Sequence, residues 1–315
     1  VGYGHASVAE HAVLHLALEN VSRLAIETIE GNRLASYTEK STRYQQWDAD
    51  AFYFPEELKG QPLEGKFHET CRNLFDAYQY CIPRVQAWLR ETYPQGPDES
   101  DSAFERWIKP ASIDICRFLL PAASLANVGV TINARALEYA ICKMLSSPLD
   151  EVRQIGEWVL QVGKEEVPTL IKYAGCNAYL MKTTEKMSLL AERVAPVVNE
   201  DFTLVDFDAD GEEKILAAIL FRFSAEASFE ACLTYVRQLD EVGRQALVQE
   251  LMAERGPFDQ PLREFEYAQM TIETVMDQGA YFEFKRHRMM TQTVQPLTAL
   301  LGYATPKGID RKSVV

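Results

Sequence analysis

Between Arg33 and Tyr44 the chain reads Arg-Leu-Ala-Ser-Tyr-Thr-Glu-Lys-Ser-Thr-Arg-Tyr, its densest polar cluster. Ser36, Glu39, Ser41 and Arg43 supply two hydroxyls, a carboxylate and a guanidinium fork within a few positions, a set able to grip a phosphorylated, hydroxylated ligand. An exposed polar turn after a helix has the same composition. Far along the chain, Arg286-His287-Arg288 sets two fixed cations around one imidazole. That trio suits a pyrophosphate or another anionic group, and equally a basic helix end that complements its dipole. Arg117 lies in the apolar run Ile113 to Leu120, where burial demands either a carboxylate or a ligand anion. His11 and His15 stand four apart, but Glu10 is on the wrong side of His11 for a zinc-hydrolase motif. The sequence contains no G-x-S-x-G, G-x-G-x-x-G or G-x-x-x-x-G-K-[ST].

These groups need elements to hold them. Ala12 to Leu18 reads as a buried strand, and Ser22 as the N-cap of a helix from Arg23 to Arg33 that ends in left-handed geometry at Gly31-Asn32. Apolar residues from Phe67 to Val85 recur every three or four positions, predicting an amphipathic helix in which Pro83 marks a kink or a restart. Residues 94–102 read as a solvated connection, and 113–120, 134–145, 149–173 and 183–194 as helices. At 202–207 the alternation turns to strand, and a long helix is expected from Glu212, so a second domain is expected near 200. Glu10-His11-Ala12 precedes Gly31-Asn32-Arg33 by about the distance that separates Glu266-Tyr267-Ala268 from Arg286-His287-Arg288, which suggests two copies of one unit.

The bulk numbers set limits. A chain of 315 residues, 47% apolar and 25% charged, can bury a sizeable core in about two domains. Its net charge of −14 repels phosphate backbones and anionic lipid, so neither nucleic-acid polymers nor membranes are expected partners, and an anionic ligand needs a local arginine cluster. Six scattered cysteines without C-x-x-C read as reduced thiols in a cytoplasmic protein, and no metal site is expected. No apolar run reaches the roughly 20 residues of a membrane span, and no export signal is visible. The chain opens at Val1 inside a motif, so it is expected to be a fragment.

Gly4-His5-Ala6-Ser7-Val8-Ala9-Glu10-His11, the run from Gly31 to Tyr44, Arg117-Phe118-Leu119-Leu120-Pro121 and Thr131-Ile132-Asn133-Ala134-Arg135 follow one another in a recognisable order. They resemble the flavin-dependent thymidylate synthases, the ThyX family, whose signature is R-H-R-x-x-S-x-N-E-x-S-x-R-Y, preceded by G-H-x-S-x-x-E-H and followed by R-x-x-L-P and N-A-R elements. The second half, from Phe202 through Arg286-His287-Arg288 to Gly302-Tyr303, is similar to the same family again but thinner. The resemblance implies an α+β fold of two tandem ThyX-like domains, 1–198 and 199–315, each a mixed sheet packed with helices. It also implies reductive methylation of dUMP to dTMP, with FAD as cofactor, and NADPH and methylenetetrahydrofolate as co-substrates. An inactive or re-purposed FAD- and nucleotide-binding homologue is the alternative.

By the same resemblance Ser36, Glu39, Ser41, Arg43 and Arg117 would hold dUMP, and His5, Ser7, Arg33, Asn133, Arg135, Arg286, His287 and Arg288 would hold FAD. The first copy departs from the signature at Gly31 and Asn32, where the family has Arg and His, and at Thr38, where it has Asn. The family arginine near the uracil ring falls on Met144, which cannot stabilise an ionised pyrimidine. The second copy keeps Arg-His-Arg but has Thr293, Val294, Pro296 and Thr298 in place of Asn, Glu, Ser and Arg. Each copy thus keeps what the other lacks. The expectation is a homodimer acting as a pseudo-tetramer, with hybrid sites that join Arg286–Arg288 to Glu39, Ser41, Arg43 and Arg117.

Overall fold

The computed structural model describes residues 5–41, 43–196 and 202–306; Gly4 and Thr42 of the motifs lie outside them. The fold is α+β, and the chain divides into two compact units, 1–196 with 277–315, and 197–276. The break near residue 197 falls beside the expected boundary. The described residues from 277 to 306, which the sequence assigns to the second domain, instead join the first unit.

The first unit is built on three strands, β1 (Val13–Ser22), β2 (Ala35–Glu39) and β3 (Leu125–Asn133), in the order β1-β3-β2. Both ladders are antiparallel, where a mixed sheet was expected. Period-2 alternation buries Leu14, Val128, Val130 and Ile132 on one face. On the other face His15, Thr131 and Ser36 stand in one cross-strand row, and the His15 ring nitrogen Nδ1 lies 2.9 Å from Thr131 Oγ1. A register shift between Leu18 and Val21 brings Asn20 to a positive φ of 56°, the left-handed region a bulged strand uses.

Helix α1 (Arg23–Glu30) starts where the sequence predicts, because the Ser22 hydroxyl accepts from the amide of Ala25. Glu151 anchors that cap by accepting from both the amide and the hydroxyl of Ser22, at 2.6 and 2.5 Å. The end of α1 differs from expectation, since Gly31 has a right-handed φ of −66°. Side chains close this end instead, with Asn32 Nδ2 donating to the Ile29 carbonyl at 2.8 Å and Tyr37 Oη donating to the carbonyls of Ile29 and Asn32.

Helices α2 (Glu64–Thr92) and α3 (Asp101–Cys116) pack around Phe75, Tyr78, Val85, Phe104 and Ile108. Helix α2 runs on through Pro83 rather than restarting there, since burial on this scale outweighs the roughly 3 kcal/mol that an internal proline costs. Helix α4 (Ala134–Leu145) covers the buried face of the sheet, and α5 (Asp150–Glu166) packs beside it. Helix α6 (Ala178–Ala191) completes the run.

The second unit pairs β4 (Phe202–Phe207) with a later strand, β5 (Met270–Thr274), antiparallel. Between them come α7 (Gly211–Phe223), α8 (Phe229–Gln238) and α9 (Glu241–Met252); α7 and α8 bury Leu216, Ala217, Cys232 and Val236. After β5 follows α10 (Gln278–Phe284), which belongs to the first unit.

The repeat read from sequence has a structural counterpart. A 3₁₀ turn (Ala6–His11), β1 and α1 follow one another as do a 3₁₀ turn (Arg263–Tyr267), β5 and α10. Ser22 and Asp277 cap the two helices equivalently, accepting from the amides of Ala25 and Ala280. After α10, Gln292 Nε2 donates to the carbonyls of Phe284 and His287, the positions equivalent to the two carbonyls that Tyr37 holds after α1.

Candidate functional site

The residues assigned to FAD gather at one end of the three-stranded sheet. His5 precedes the 3₁₀ turn that carries Ser7 and leads into β1, while Asn133 ends β3 opposite Val13. Asn133 caps α4 by accepting from the Ala136 amide at 2.9 Å, so its side chain is engaged in the fold itself. Arg135, two residues on, pairs with Glu10 at 2.5 Å. Arg33 enters the same end just before β2, and its Nη2 donates to the Met290 carbonyl at 3.2 Å and to Thr291 Oγ1 at 3.0 Å.

The Arg286–Arg288 trio meets this end from the segment after α10. Arg288 donates to the Ala35 carbonyl and lies 5.1 Å from the centre of the Tyr37 ring. Burial pushes the Tyr37 hydroxyl up to about 12, so it stays a donor. His287 is exposed, its ring tilted against Phe284, and Arg286 pairs with Glu283 at 3.4 Å. Among the described residues neither Arg33 nor Arg288 forms an ion pair; both guanidiniums rest on carbonyl or hydroxyl oxygens and keep their charge uncompensated.

The residues assigned to dUMP divide. Beyond the far end of β2, Arg43 and Arg117 both reach Asp114 Oδ1, at 3.2 and 3.0 Å. Burial pulls Arg117 below the usual guanidinium range, with Asp114 and Glu283 opposing that shift. Glu283 is also the partner of Arg286. Ser41 accepts from the Arg43 amide, and Ser36 stands on the open face of β2. Glu39 is three residues further along the strand, hence on the opposite face, and it is engaged by Arg23.

That ion pair belongs to a buried cluster that sequence reasoning missed. Arg23, Glu27 and Glu30 form one stripe of α1; Lys285 reaches Glu27 at 3.1 Å and Glu30 at 2.7 Å; and Arg23 lies 3.8 Å from the centre of the Phe282 ring. Burial raises the carboxyl of Glu27 even against the neighbouring Lys285 ammonium. The i, i+4, i+7 spacing of the three charges was the available signal, since a charged stripe beside the apolar one needs a partner. Met144 is 4% exposed and packed in the core against Gly156, so it faces no ligand. Its neighbour Lys143 is half-buried, with its ammonium 5.2 Å from the Tyr139 ring.

The six cysteines are free thiols, and burial pushes Cys116 up to about 12. No helix among the described residues is long and apolar enough to cross a membrane.

Comparison with known proteins gives these residues a family. The model of the thymidylate synthase complementing protein family, Thy1, matches residues 1–169. A UPF0159 protein of Chlamydia muridarum is 31% identical over 97% of this chain and 61% of its own length, and one of Thermoplasma acidophilum is 25% identical over 96% and 67%. The chain thus spans about three fifths of the Chlamydia relative. A flavin-dependent thymidylate synthase of Thermococcus onnurineus is 30% identical over 55% of this chain and 64% of its own. Helicobacter pylori thymidylate synthase X, solved with FAD and dUMP, aligns at 17% identity and a TM-score of 0.35 over 57% of this chain and 78% of its own. With the family model covering more than half of its length, the chain belongs to the thymidylate synthase complementing proteins, the ThyX family.

Proposed function

We propose that this protein binds FAD and dUMP and acts as a flavin-dependent thymidylate synthase, methylating dUMP to dTMP with methylenetetrahydrofolate and NADPH as co-substrates. One observation carries the reading. Within a single compact unit Arg286 pairs with Glu283 at the end of α10, a helix packed against the 117–119 turn, while Arg117 and Arg43 share Asp114, which supports a site drawing on both repeats.

The donor set fits the cofactor. Arg33 and Arg288, held by carbonyls and free of carboxylates among the described residues, are pre-organised cations of the kind a diphosphate requires, and His5, Ser7, Arg135, Arg286 and His287 would complete the same site. FAD, when bound, would supply the hydride that completes the methyl group. Arg43 and Arg117 are the cations nearest to hand for the nucleotide phosphate, with Ser36 and Ser41 offering hydroxyls. Glu39 acts through Arg23, fixing the β2 edge. A homodimer acting as a pseudo-tetramer in the cytoplasm fits the tandem repeat and the six unpaired thiols.

Purified protein should be yellow, and adding dUMP and methylenetetrahydrofolate to the reduced form should oxidise the flavin and yield dTMP. Arg286→Ala should lower flavin content, and an unchanged content refutes that assignment. A second reading, a flavin- and nucleotide-binding homologue without methyl transfer, is favoured by the burial of Met144 where the family has an arginine. Flavin oxidation without dTMP would select it.

A further inference from the structure

The two repeats meet through equivalent positions. The offset that carries Arg33 onto Arg288 also carries Ala35 onto Met290, Tyr37 onto Gln292 and Glu30 onto Lys285. Arg33 donates to the Met290 carbonyl, and Arg288 donates to the Ala35 carbonyl. Each bond is the image of the other under exchange of the repeats. Such reciprocity marks an isologous, twofold contact, here made inside one chain between unlike copies.

Charge then breaks the symmetry. Glu30 and Lys285 are equivalents, yet they touch each other at 2.7 Å, so they lie where the pseudo-twofold axis passes. A residue on such an axis meets its own counterpart. Joining two first repeats through this face would set Glu30 against Glu30, with Glu27 close by; joining two second repeats would set Lys285 against Lys285. The Lys285 and Glu30 side chains are only 7% and 11% exposed, so like charges here would repel with little screening.

We propose that this contact is an intrachain pseudo-twofold interface selective for unlike repeats. The first repeat accepts the chain's own Gln278–Thr291 limb, and the Glu30–Lys285 pair excludes a second copy of the first repeat from the same face. This is specificity by a repulsive alternative as much as by an attractive contact. It does not depend on whether flavin binds.

The test is hydrogen exchange on the full-length chain, read over residues 278–291 and 29–37, for the parent, Glu30→Lys, Lys285→Glu and the double swap. Each single variant should speed exchange in both stretches by at least about tenfold, because it buries like charges on the axis. The double swap, made together with Glu27→Gln because Lys285 also pairs with Glu27, should return both stretches to within about threefold of the Glu27→Gln chain, since it then reverses the pair without setting two carboxylates together. Should either single variant fail to fold, the double swap still decides, and its failure to recover overturns the proposal. Protection should also be the same at every protein concentration. Protection that rises with concentration would mean that the limb comes from another molecule, and it would overturn the intrachain assignment.

Discussion

Glu39 is the residue whose role the structure most changes, and its replacement tests the change. The resemblance makes it a nucleotide ligand; the structure commits it to Arg23, with the two side chains 12% and 6% exposed. Glu39→Gln would strand a buried guanidinium, and breaking such a pair costs about 3–5 kcal/mol. The glutamine oxygen can still accept, and Arg23 keeps the Phe282 ring at 3.8 Å, which lowers the expected loss to about 2–3 kcal/mol. In a unit of this size that corresponds to roughly 5–10 °C in Tm. Circular dichroism melts in the absence of nucleotide measure it directly, and added salt should leave the loss nearly unchanged because the pair is dry. The double variant Arg23→Met/Glu39→Met should recover most of it, since apolar replacement of a whole buried pair is often neutral. A nucleotide-free Tm within about 2 °C of the parent would refute the structural role, for a residue kept only for its ligand does not stabilise the empty fold.

Three further outcomes are expected. Asp114→Asn removes the one carboxylate shared by Arg43 and Arg117. Calorimetry at low salt should then find inorganic phosphate bound several-fold more tightly, the gain fading at high salt; no gain would remove the pair as an anion site. Burial raises the Glu151 carboxyl, so the folded state holds that proton to higher pH than the unfolded chain does. Stability should therefore fall as pH rises from the ordinary carboxylate range through the raised value, and Glu151→Gln should flatten that slope in denaturant titrations. Restoring the family arginine by Met144→Arg should lower stability by about 3 kcal/mol or more, because the position lies inside the core, and dTMP formation should not increase.

Local signals carried some elements and not others. Helix α4 has the predicted bounds because its cap, Asn133, and its apolar stripe are both local. The β2 strand reads as a polar turn, since alanine, serine and glutamate carry little strand preference and only Tyr37 and Thr38 favour it; β3 makes it a strand by pairing with it. The β3 strand itself hides behind the motif at 131–135, although Val128, Val130 and Ile132 alternate. At the site, Arg43 and Arg117 lie far apart in sequence and meet on an aspartate that no motif marks. The role of Lys285 depends on a contact with α1 across most of the chain, which no window of sequence contains.

The pair of side chains that closes the turn in each repeat carries its own consequence. A phenol has one proton, so Tyr37 must divide it between two carbonyls at 3.0 and 2.9 Å, whereas the carboxamide of Gln292 has one proton for each of its two. In return the phenol brings an aromatic surface on which the guanidinium of Arg288 can lie, something a glutamine cannot provide. One repeat has thus given up a hydrogen for a π-face, and the other has kept the hydrogen. Exchanging the two residues would leave both turns closed while moving the cation's resting place from one copy to the other.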